Sequence, residues 1–171
     1  GTLADSQTIT ISVTDANDAP VITTTSFGSI EENQTTIGSL AATDADSNSI
    51  TFSITGGVDS DKFSASGIGG STLAFSGFTP NFESPTGGVD NDSNTYLVEI
   101  TATDNGTGSL TDVETVSVTV ISVNEAPVIT NGDTDTANAA ENQTSAIDVD
   151  HTDVDSGQTI TYTISGGADA A

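Results

Sequence analysis

The chain has 171 residues, of which 25 are acidic and one is lysine or arginine, so its formal net charge is −24, and it contains no cysteine. A charge this negative disfavours binding to nucleic acid or to an anionic membrane surface. The lack of cysteine excludes disulfides, thiolate metal sites and cysteine nucleophiles, and no apolar run approaches membrane-spanning length.

Alternating polar and apolar residues predict β-strands along most of the chain. The first such run is Thr8–Val13. The region from Pro20 to Ala126 contains about seven more. Their predicted bounds are 21–25, 36–42, 49–54, 62–66, 72–77, 94–103 and 112–121. About seven short strands in ~100 residues, separated by Gly, Asn and Asp turns, are typical of a Greek-key β-sandwich. The sequence therefore predicts an all-β, immunoglobulin-like fold.

The sequence also repeats itself over a long period. Residues 1–20 align without a gap on residues 108–127, an offset of 107, and the motif Glu32-Asn33-Gln34-Thr35 recurs from Glu141, an offset of 109. A period of this length indicates tandem domains and not a solenoid of short turns. We therefore predict three units, namely the C-terminal end of a preceding repeat (1–19), a complete repeat (20–126) and the N-terminal part of a following repeat (127–171).

Acidic motifs recur at the junctions of these units. The junctions contain a first linker (residues 15–20, DANDAP) and a second linker (residues 122–127, SVNEAP). Between them, in order, stand Glu32-Asn33, Asp44-Ala45-Asp46, Phe82-Glu83 and Asp104. In an extended backbone the two carboxylates of Asp-x-Asp point to the same side. Sets of this kind suit Ca²⁺, which takes about 6–8 oxygen ligands in irregular geometry.

In this order, the motifs resemble the cadherin repeat, specifically the bacterial cadherin-like tandem repeats of large calcium-dependent surface adhesins. The resemblance covers the whole chain and implies calcium at the joints between repeats. At the first joint the implied ligands are Asp15, Asn17, Asp18, Asp44, Asp46 and Asp104. At the second joint they are Glu32, Asn81, Glu83, Asn124, Glu125, Asp153 and Asp155.

Two departures from the family pattern fall at the second joint. Ser122 stands where the first linker has Asp15, and Asn81 stands where the family has an aspartate. The counterpart of Asp104 would also lie beyond Ala171, and the upstream glutamates of the first joint would lie before Gly1. We therefore expect the second joint to bind calcium more weakly than a joint with the full family pattern, or to hold fewer ions.

Simpler interpretations exist for several of these residues. Each Asp or Asn taken alone is an ordinary solvated turn residue. The acidic loop 81–94 is expected to be a solvated excursion, with a weaker cation site at Asp90 and Asp92 as the alternative. Lys62 is expected to be a surface charge, and His151 is expected to be a strand residue without a catalytic role.

These features predict a calcium-rigidified spacer or adhesion segment of a large, secreted or surface-bound bacterial tandem-repeat protein, without enzymatic activity. Its expected partners are neighbouring repeats of the same chain, and like repeats on other chains or a surface glycan. Neither nucleic-acid binding nor membrane insertion is expected. The alternatives are a self-assembling subunit of an extracellular filament, and a carbohydrate- or protein-binding accessory repeat of a secreted polysaccharide-degrading enzyme.

Overall fold

The structure is a computed structural model that describes residues 1–88, 92–131, 136–144 and 147–167. Within these ranges the chain forms eleven strands and two 3-10 turns, the latter at Ser60–Lys62 and Ile68–Gly70. The strands are β1 (Val21–Ile22), β2 (Ser26–Glu31), β3 (Thr36–Ser39), β4 (Ala42–Thr43), β5 (Ile50–Gly56), β6 (Phe63–Ser66), β7 (Thr72–Phe75), β8 (Thr95–Asp104), β9 (Thr111–Ile121), β10 (Val128–Ile129) and β11 (His151–Thr152). No helix in the described ranges is long and apolar enough to cross a membrane.

The larger sheet contains four strands in the order β2-β9-β8-β5. Its two longest strands pair antiparallel, with Thr95 opposite Thr119 at one end and Thr103 opposite Thr111 at the other. Every second residue along β8, and along β9 from Val116 to Val120, faces the interior and is buried. These residues are Tyr96, Val98, Ile100 and Ala102 in β8, and Val116, Val118 and Val120 in β9. Burial with a period of two follows directly from the alternation in the sequence.

A smaller sheet, in the order β3-β7-β6, packs over the larger one. Its buried side chains include Phe63, Leu73 and Phe75. The rings of Phe75 and Tyr96 meet edge to face across the core, with centroids 5.1 Å apart and an interplanar angle of 69°. This is the geometry that aromatic pairs prefer. The two sheets enclose one apolar core, which confirms the predicted all-β sandwich.

Two short antiparallel pairs extend the sandwich and recur with the sequence repeat. In the first, β1 pairs with β4, and Val21 lies opposite Thr43. In the second, β10 pairs with β11, and Val128 lies opposite Thr152. The same backbone pairing therefore follows both linkers. His151 lies in β11, the strand position that the alignment predicts.

The strand prediction for Thr8–Val13 is wrong. These residues form no strand, and Ile9, Ile11 and Val13 are exposed. A strand is stabilised by hydrogen bonds and side-chain contacts with a neighbouring strand, and none of the described residues pairs with this segment. Alternation alone does not form a strand when no described strand lies beside it to pair with.

Two further predictions have the wrong extent, because the chain changes partners within them. The predicted strand 21–25 ends at Ile22, and β2 begins at Ser26 as the parallel neighbour of β9. The register of β2 shifts before Ser29, and Gly28 there has a φ of 66°, which interrupts the alternation. The predicted strand 36–42 divides into β3 and β4 around the buried Leu40, whose N–H donates to the Ser71 carbonyl oxygen at 2.7 Å.

Candidate metal centres

The first linker lies against two loops of the sandwich. The Asp18 N–H donates to Asp46 Oδ2 at 2.7 Å, and Asn17 Nδ2 donates to Asp104 Oδ2 at 2.8 Å. Asn17 Oδ1 in turn accepts from Asn48 Nδ2 at 2.7 Å. The linker, the Asp-x-Asp loop after β4 and the last residue of β8 are distant in sequence. The structure brings them together at one end of the sandwich.

Backbone donors of their own loops hold the two central aspartates of this first joint. Asp104 is buried, and its Oδ1 accepts from Gly106 N at 3.1 Å and Leu110 N at 2.9 Å. Asp44 Oδ1 accepts from Asp46 N at 2.9 Å and Asn48 N at 3.1 Å. Asp44 Oδ2 is buried and has no hydrogen-bond partner among the described residues. Burying a carboxylate oxygen without a partner is costly unless a cation binds it.

At the second joint, Glu32 follows β2 directly and is only 1% exposed. Its Oε1 accepts from Val123 N at 2.8 Å and its Oε2 accepts from Phe82 N at 2.9 Å. The Glu32 N–H itself donates to the carbonyl oxygen of Ile121 at 3.0 Å. One buried carboxylate therefore joins the end of β2, the second linker and the loop after β7.

Three glutamates converge at this second joint. Glu32, Glu83 and Glu125 each offer a carboxylate oxygen, and these oxygens lie within 4.8 Å of one another. Glu125 Oε2 is buried without a hydrogen-bond partner in the described part of the chain. A cleft of about 490 Å³ lies beside them, lined in part by Ser122 and Asp155. Carboxylates this close repel one another, so the set suits a hard cation with oxygen ligands.

The two joints share one backbone arrangement. The Glu125 N–H donates to Asp155 Oδ2 at 2.6 Å, as the Asp18 N–H does to Asp46 Oδ2 at 2.7 Å. The Asp155 N–H closes the Asp-x-Asp turn onto Asp153 Oδ1 at 2.9 Å, the same distance as in the first copy. The sequence repeat therefore corresponds to a repeat of hydrogen-bond geometry at the two linkers.

A linker amide is also held in the same way at both joints. Asn124 Oδ1 accepts from Gln158 Nε2 at 2.5 Å, as Asn17 Oδ1 accepts from Asn48 Nδ2. Asn17 and Asn124 therefore both lie beside the Asp-x-Asp loops, and their role as metal ligands stays a prediction. Neither Asn48 nor Gln158 is predicted as a site residue from the sequence, although both follow an Asp-x-Asp-Ser segment.

The remaining predicted positions contribute less to the two clusters. Asp15 is exposed. Asn81 Oδ1 accepts from Ser84 N at 2.6 Å, so this amide oxygen closes a local turn. Ser122 Oγ donates to Asp155 Oδ1 at 3.2 Å and occupies the place of a carboxylate. Of the alternative site in the acidic loop, Asp90 lies outside the described residues.

Asn33, which the sequence identifies only as part of the Glu-Asn-Gln-Thr motif, lies at the second joint beside Glu125. It has a φ of 65°, and its counterpart Asn142 also has a φ of 65°. Asparagine tolerates this left-handed conformation better than most residues. Burial and neighbouring carboxylates raise the pKa of Glu125, and a hydrogen bond from the Asn33 side chain offsets part of that rise. The recurrence of the Glu-Asn-Gln-Thr motif was the available signal.

The expectation that Lys62 is a surface charge is wrong. Its side chain is largely buried, and Nζ lies 3.5 Å from Oδ1 of Asp59, which is fully buried. Asp59 Oδ1 also accepts from Gly88 N at 2.9 Å, and Oδ2 accepts from Leu97 N at 2.8 Å. Burying a charge requires such pairing. The chain's one lysine thus pairs with an aspartate outside the two acidic joints.

Glu125 makes the metal-free second joint sensitive to pH. Burial raises the pKa of Glu125 above its ordinary value of 4.5, and the charges of Glu32, Glu83 and Asp155 raise it further. The folded chain therefore retains a proton that the unfolded chain has already released as the pH rises. With a chelator present, we expect the free energy of unfolding to fall as the pH rises from 4.5 through the raised pKa.

Thermal unfolding across this pH range, with chelator, measures the effect. In Glu125→Gln the fall should be smaller, because the titrating group is gone, and the metal-free chain should be more stable at neutral pH. Glu114→Gln, on β9, is the control and should keep the fall. A Glu125→Gln variant with the full pH dependence of the parent chain would contradict this explanation.

No protein-family model matches this sequence, and no curated protein matches it. Solved structures do match. A structure of Drosophila N-cadherin EC1-4 aligns over 82% of this chain at 23% identity with a TM-score of 0.54. A structure of human CDH23 EC21-23 aligns over 85% of this chain at 21% identity with a TM-score of 0.54. A structure of mouse cadherin-23 EC22-24 aligns over 83% of this chain at 17% identity with a TM-score of 0.53. The chain has a cadherin-like fold. It spans 35%, 47% and 46% of those three chains, less than half of each.

Proposed function

We propose that this chain is a segment of an extracellular, adhesion-type tandem-repeat protein whose joints are made rigid by calcium. The single observation that carries the proposal is the meeting of Glu32, Glu83 and Glu125 within 4.8 Å of one another. The buried, unpartnered Glu125 Oε2 supports it, because a cation would satisfy that oxygen. The likeness of the fold to cadherin extracellular domains agrees with an extracellular, non-enzymatic role.

Calcium would act by binding to the clustered carboxylates, which repel one another when no cation lies between them. Without a cation, repulsion among the clustered carboxylates opposes the hydrogen bonds that hold the second linker against the sandwich. At the second joint the candidate ligands come from the linker and from both sides of it, so a bound ion would fix the orientation of one unit against the next. Glu32, Glu83 and Glu125 would hold an ion from the side of the complete repeat, and Asp153 and Asp155 from the following one.

The full proposal is a stiff, acidic spacer of a bacterial surface adhesin that projects more distal domains. A net charge of −24 would keep such rods soluble and apart from one another. Because Ser122 and Asn81 replace carboxylates, the second joint would bind calcium more weakly than one with the full family pattern, or hold fewer ions. Affinities of extracellular calcium modules are typically about 10⁻⁴–10⁻³ M.

Small-angle X-ray scattering with calcium and with chelator tests this function. We expect the maximum dimension of the chain to lengthen on addition of millimolar calcium (~10⁻³ M) and to return on chelation. Magnesium at the same concentration should have a smaller effect, because it requires nearly octahedral geometry and dehydrates reluctantly. A scattering profile that does not respond to calcium, together with an unchanged unfolding temperature, would exclude the calcium-stiffened spacer.

A further inference from the structure

β5 (Ile50–Gly56) is an edge strand of the larger sheet. One side of it pairs with β8, and no strand among the described residues pairs with the other side. Its sequence, ITFSITG, carries no charge and no proline and is rich in β-branched and aromatic residues. An edge strand of this composition is a template for pairing with another chain. Two copies of β5 could pair without placing like charges opposite each other.

A glycine-rich turn, residues 67–71, lies against this strand, and we call it the edge cover. A Cβ atom on Gly70 would stand 2.3 Å from the Phe52 carbonyl oxygen, and one on Gly69 would stand 2.9 Å from the Ile50 carbonyl oxygen. Gly69 and Gly70 both have positive φ, 63° and 72°. The backbone of the cover therefore approaches the carbonyl groups of β5 more closely than a residue with a side chain could.

The edge cover itself buries no side chain in the apolar core. Its only large side chain, Ile68, is 96% exposed. The turn instead closes on itself, with the Gly70 N–H donating to the Gly67 carbonyl oxygen at 3.2 Å. The turn connects β6 to β7, and the carbonyl oxygen of its last residue, Ser71, accepts from the Leu40 N–H at 2.7 Å. Its glycine backbone lies against the backbone of β5 at Ile50, Thr51 and Phe52.

We propose that the edge cover blocks the free edge of β5 against pairing with a second copy of this chain. Covering the carbonyl groups of Ile50 and Phe52 removes acceptors that an incoming strand would need for ladder hydrogen bonds. The turn thereby prevents two chains from associating side by side through β5. Because β5 itself carries no charge, repulsion between the negatively charged chains opposes pairing at this strand only weakly. The inference is independent of calcium, because neither the cover nor β5 contributes a predicted metal ligand.

Alanine substitutions at three glycines test the role of the cover. Gly70→Ala forces the turn away from Phe52, and Gly69→Ala does so less strongly from Ile50. Gly77→Ala is the matched control, because Gly77 also has a positive φ (80°) but nothing lies within 4 Å of its added Cβ. All three variants carry similar backbone strain, and only the first two disturb the cover.

Sedimentation velocity in chelator and in calcium measures the association. We expect Gly70→Ala to dimerise with a dissociation constant at least about tenfold below that of the parent chain. Gly69→Ala should dimerise more weakly, and Gly77→Ala should behave as the parent chain. Adding Ser53→Lys to Gly70→Ala should restore the monomer, because a lysine on the edge strand opposes pairing.

Amide hydrogen exchange shows whether the edge of β5 is open in a variant that stays monomeric. A folded Gly70→Ala chain that stays monomeric while the β5 amides exchange faster would overturn the proposal, because the edge would be open without pairing. If Gly70→Ala fails to fold, the same two measurements on Gly69→Ala decide between the outcomes. Equal dimerisation of Gly77→Ala would also overturn it, since strain alone would then explain the association.

Discussion

Replacing Asp59 by alanine should lower the free energy of unfolding by about 3 kcal/mol. The Asp59 carboxylate is fully buried and accepts hydrogen bonds from the N–H groups of Gly88 and Leu97. Alanine leaves both donors without this acceptor and removes a carboxylate partner of Lys62. Urea denaturation measures the loss as a lower midpoint with an unchanged slope, because the amount of surface exposed on unfolding stays the same.

Asp61→Ala is the matched control for this experiment. Asp61 Oδ1 lies 3.6 Å from Lys62 Nζ, almost as close as Asp59, but its side chain is 80% exposed. An exposed ion pair contributes at most about 1 kcal/mol, so this variant should stay near the parent chain. Asp59→Asn should fall between the two, because its one oxygen can still accept one N–H. Equal losses in Asp59→Ala and Asp61→Ala would show that burial of Asp59 does not matter.

The strands that the sequence predicts best are those that bury every second residue. The predicted bounds 94–103 and 112–121 agree closely with β8 and β9, because Tyr96 to Ala102 and Val116 to Val120 alternate without interruption. The sequence does not predict β2, because its alternation is broken at Gly28 and its partner β9 is about ninety positions away. The local sequence pattern of a strand does not indicate which other strand it pairs with in the sheet.

The repeat, more than any single motif, located the candidate joints. The offsets in the sequence placed Asp44 and Asp46 beside one linker and Asp153 and Asp155 beside the other, and the hydrogen bonds of both linkers follow that correspondence. The burial of Glu32 could not be read in the same way. Glu32 is buried by contacts with Phe82 and Val123, which stand 50 and 91 positions later in the chain, and the local motif carries no information about them.

Single acidic residues outside the repeat motifs were not identified. Asp112 Oδ2 accepts from the Ile22 N–H at 2.7 Å and fixes the start of the chain's first short strand. Its signal was present in the alignment, because Asp5 occupies the corresponding position of the preceding unit. Asp59 had no such signal, since it stands in a turn-like Val-Asp-Ser-Asp segment where aspartate is common. Only the tertiary fold shows that this aspartate is buried.

Replacing Glu32 by alanine should affect both stability and the response to calcium. In chelator we expect the free energy of unfolding to fall by about 3 kcal/mol, because two backbone donors lose a charged acceptor. These donors are the N–H groups of Phe82 and Val123, at 2.9 and 2.8 Å. The stabilisation by calcium should also shrink, because one of the three converging carboxylates is gone. Unfolding temperatures in chelator and across a calcium titration measure the two effects separately.

Two variants separate the structural role of Glu32 from ligation. Glu31→Ala changes the exposed neighbouring residue and should alter neither quantity. Glu83→Gln keeps both hydrogen bonds of Glu32 and should reduce only the calcium response, because Glu83 belongs to the same carboxylate cluster. If Glu83→Gln responds to calcium like the parent chain while Glu32→Ala is merely less stable, the cluster is a structural feature of the sandwich and the calcium joint is wrong. If both lose the response and only Glu32→Ala loses stability in chelator, Glu32 both holds the joint in place and binds the ion.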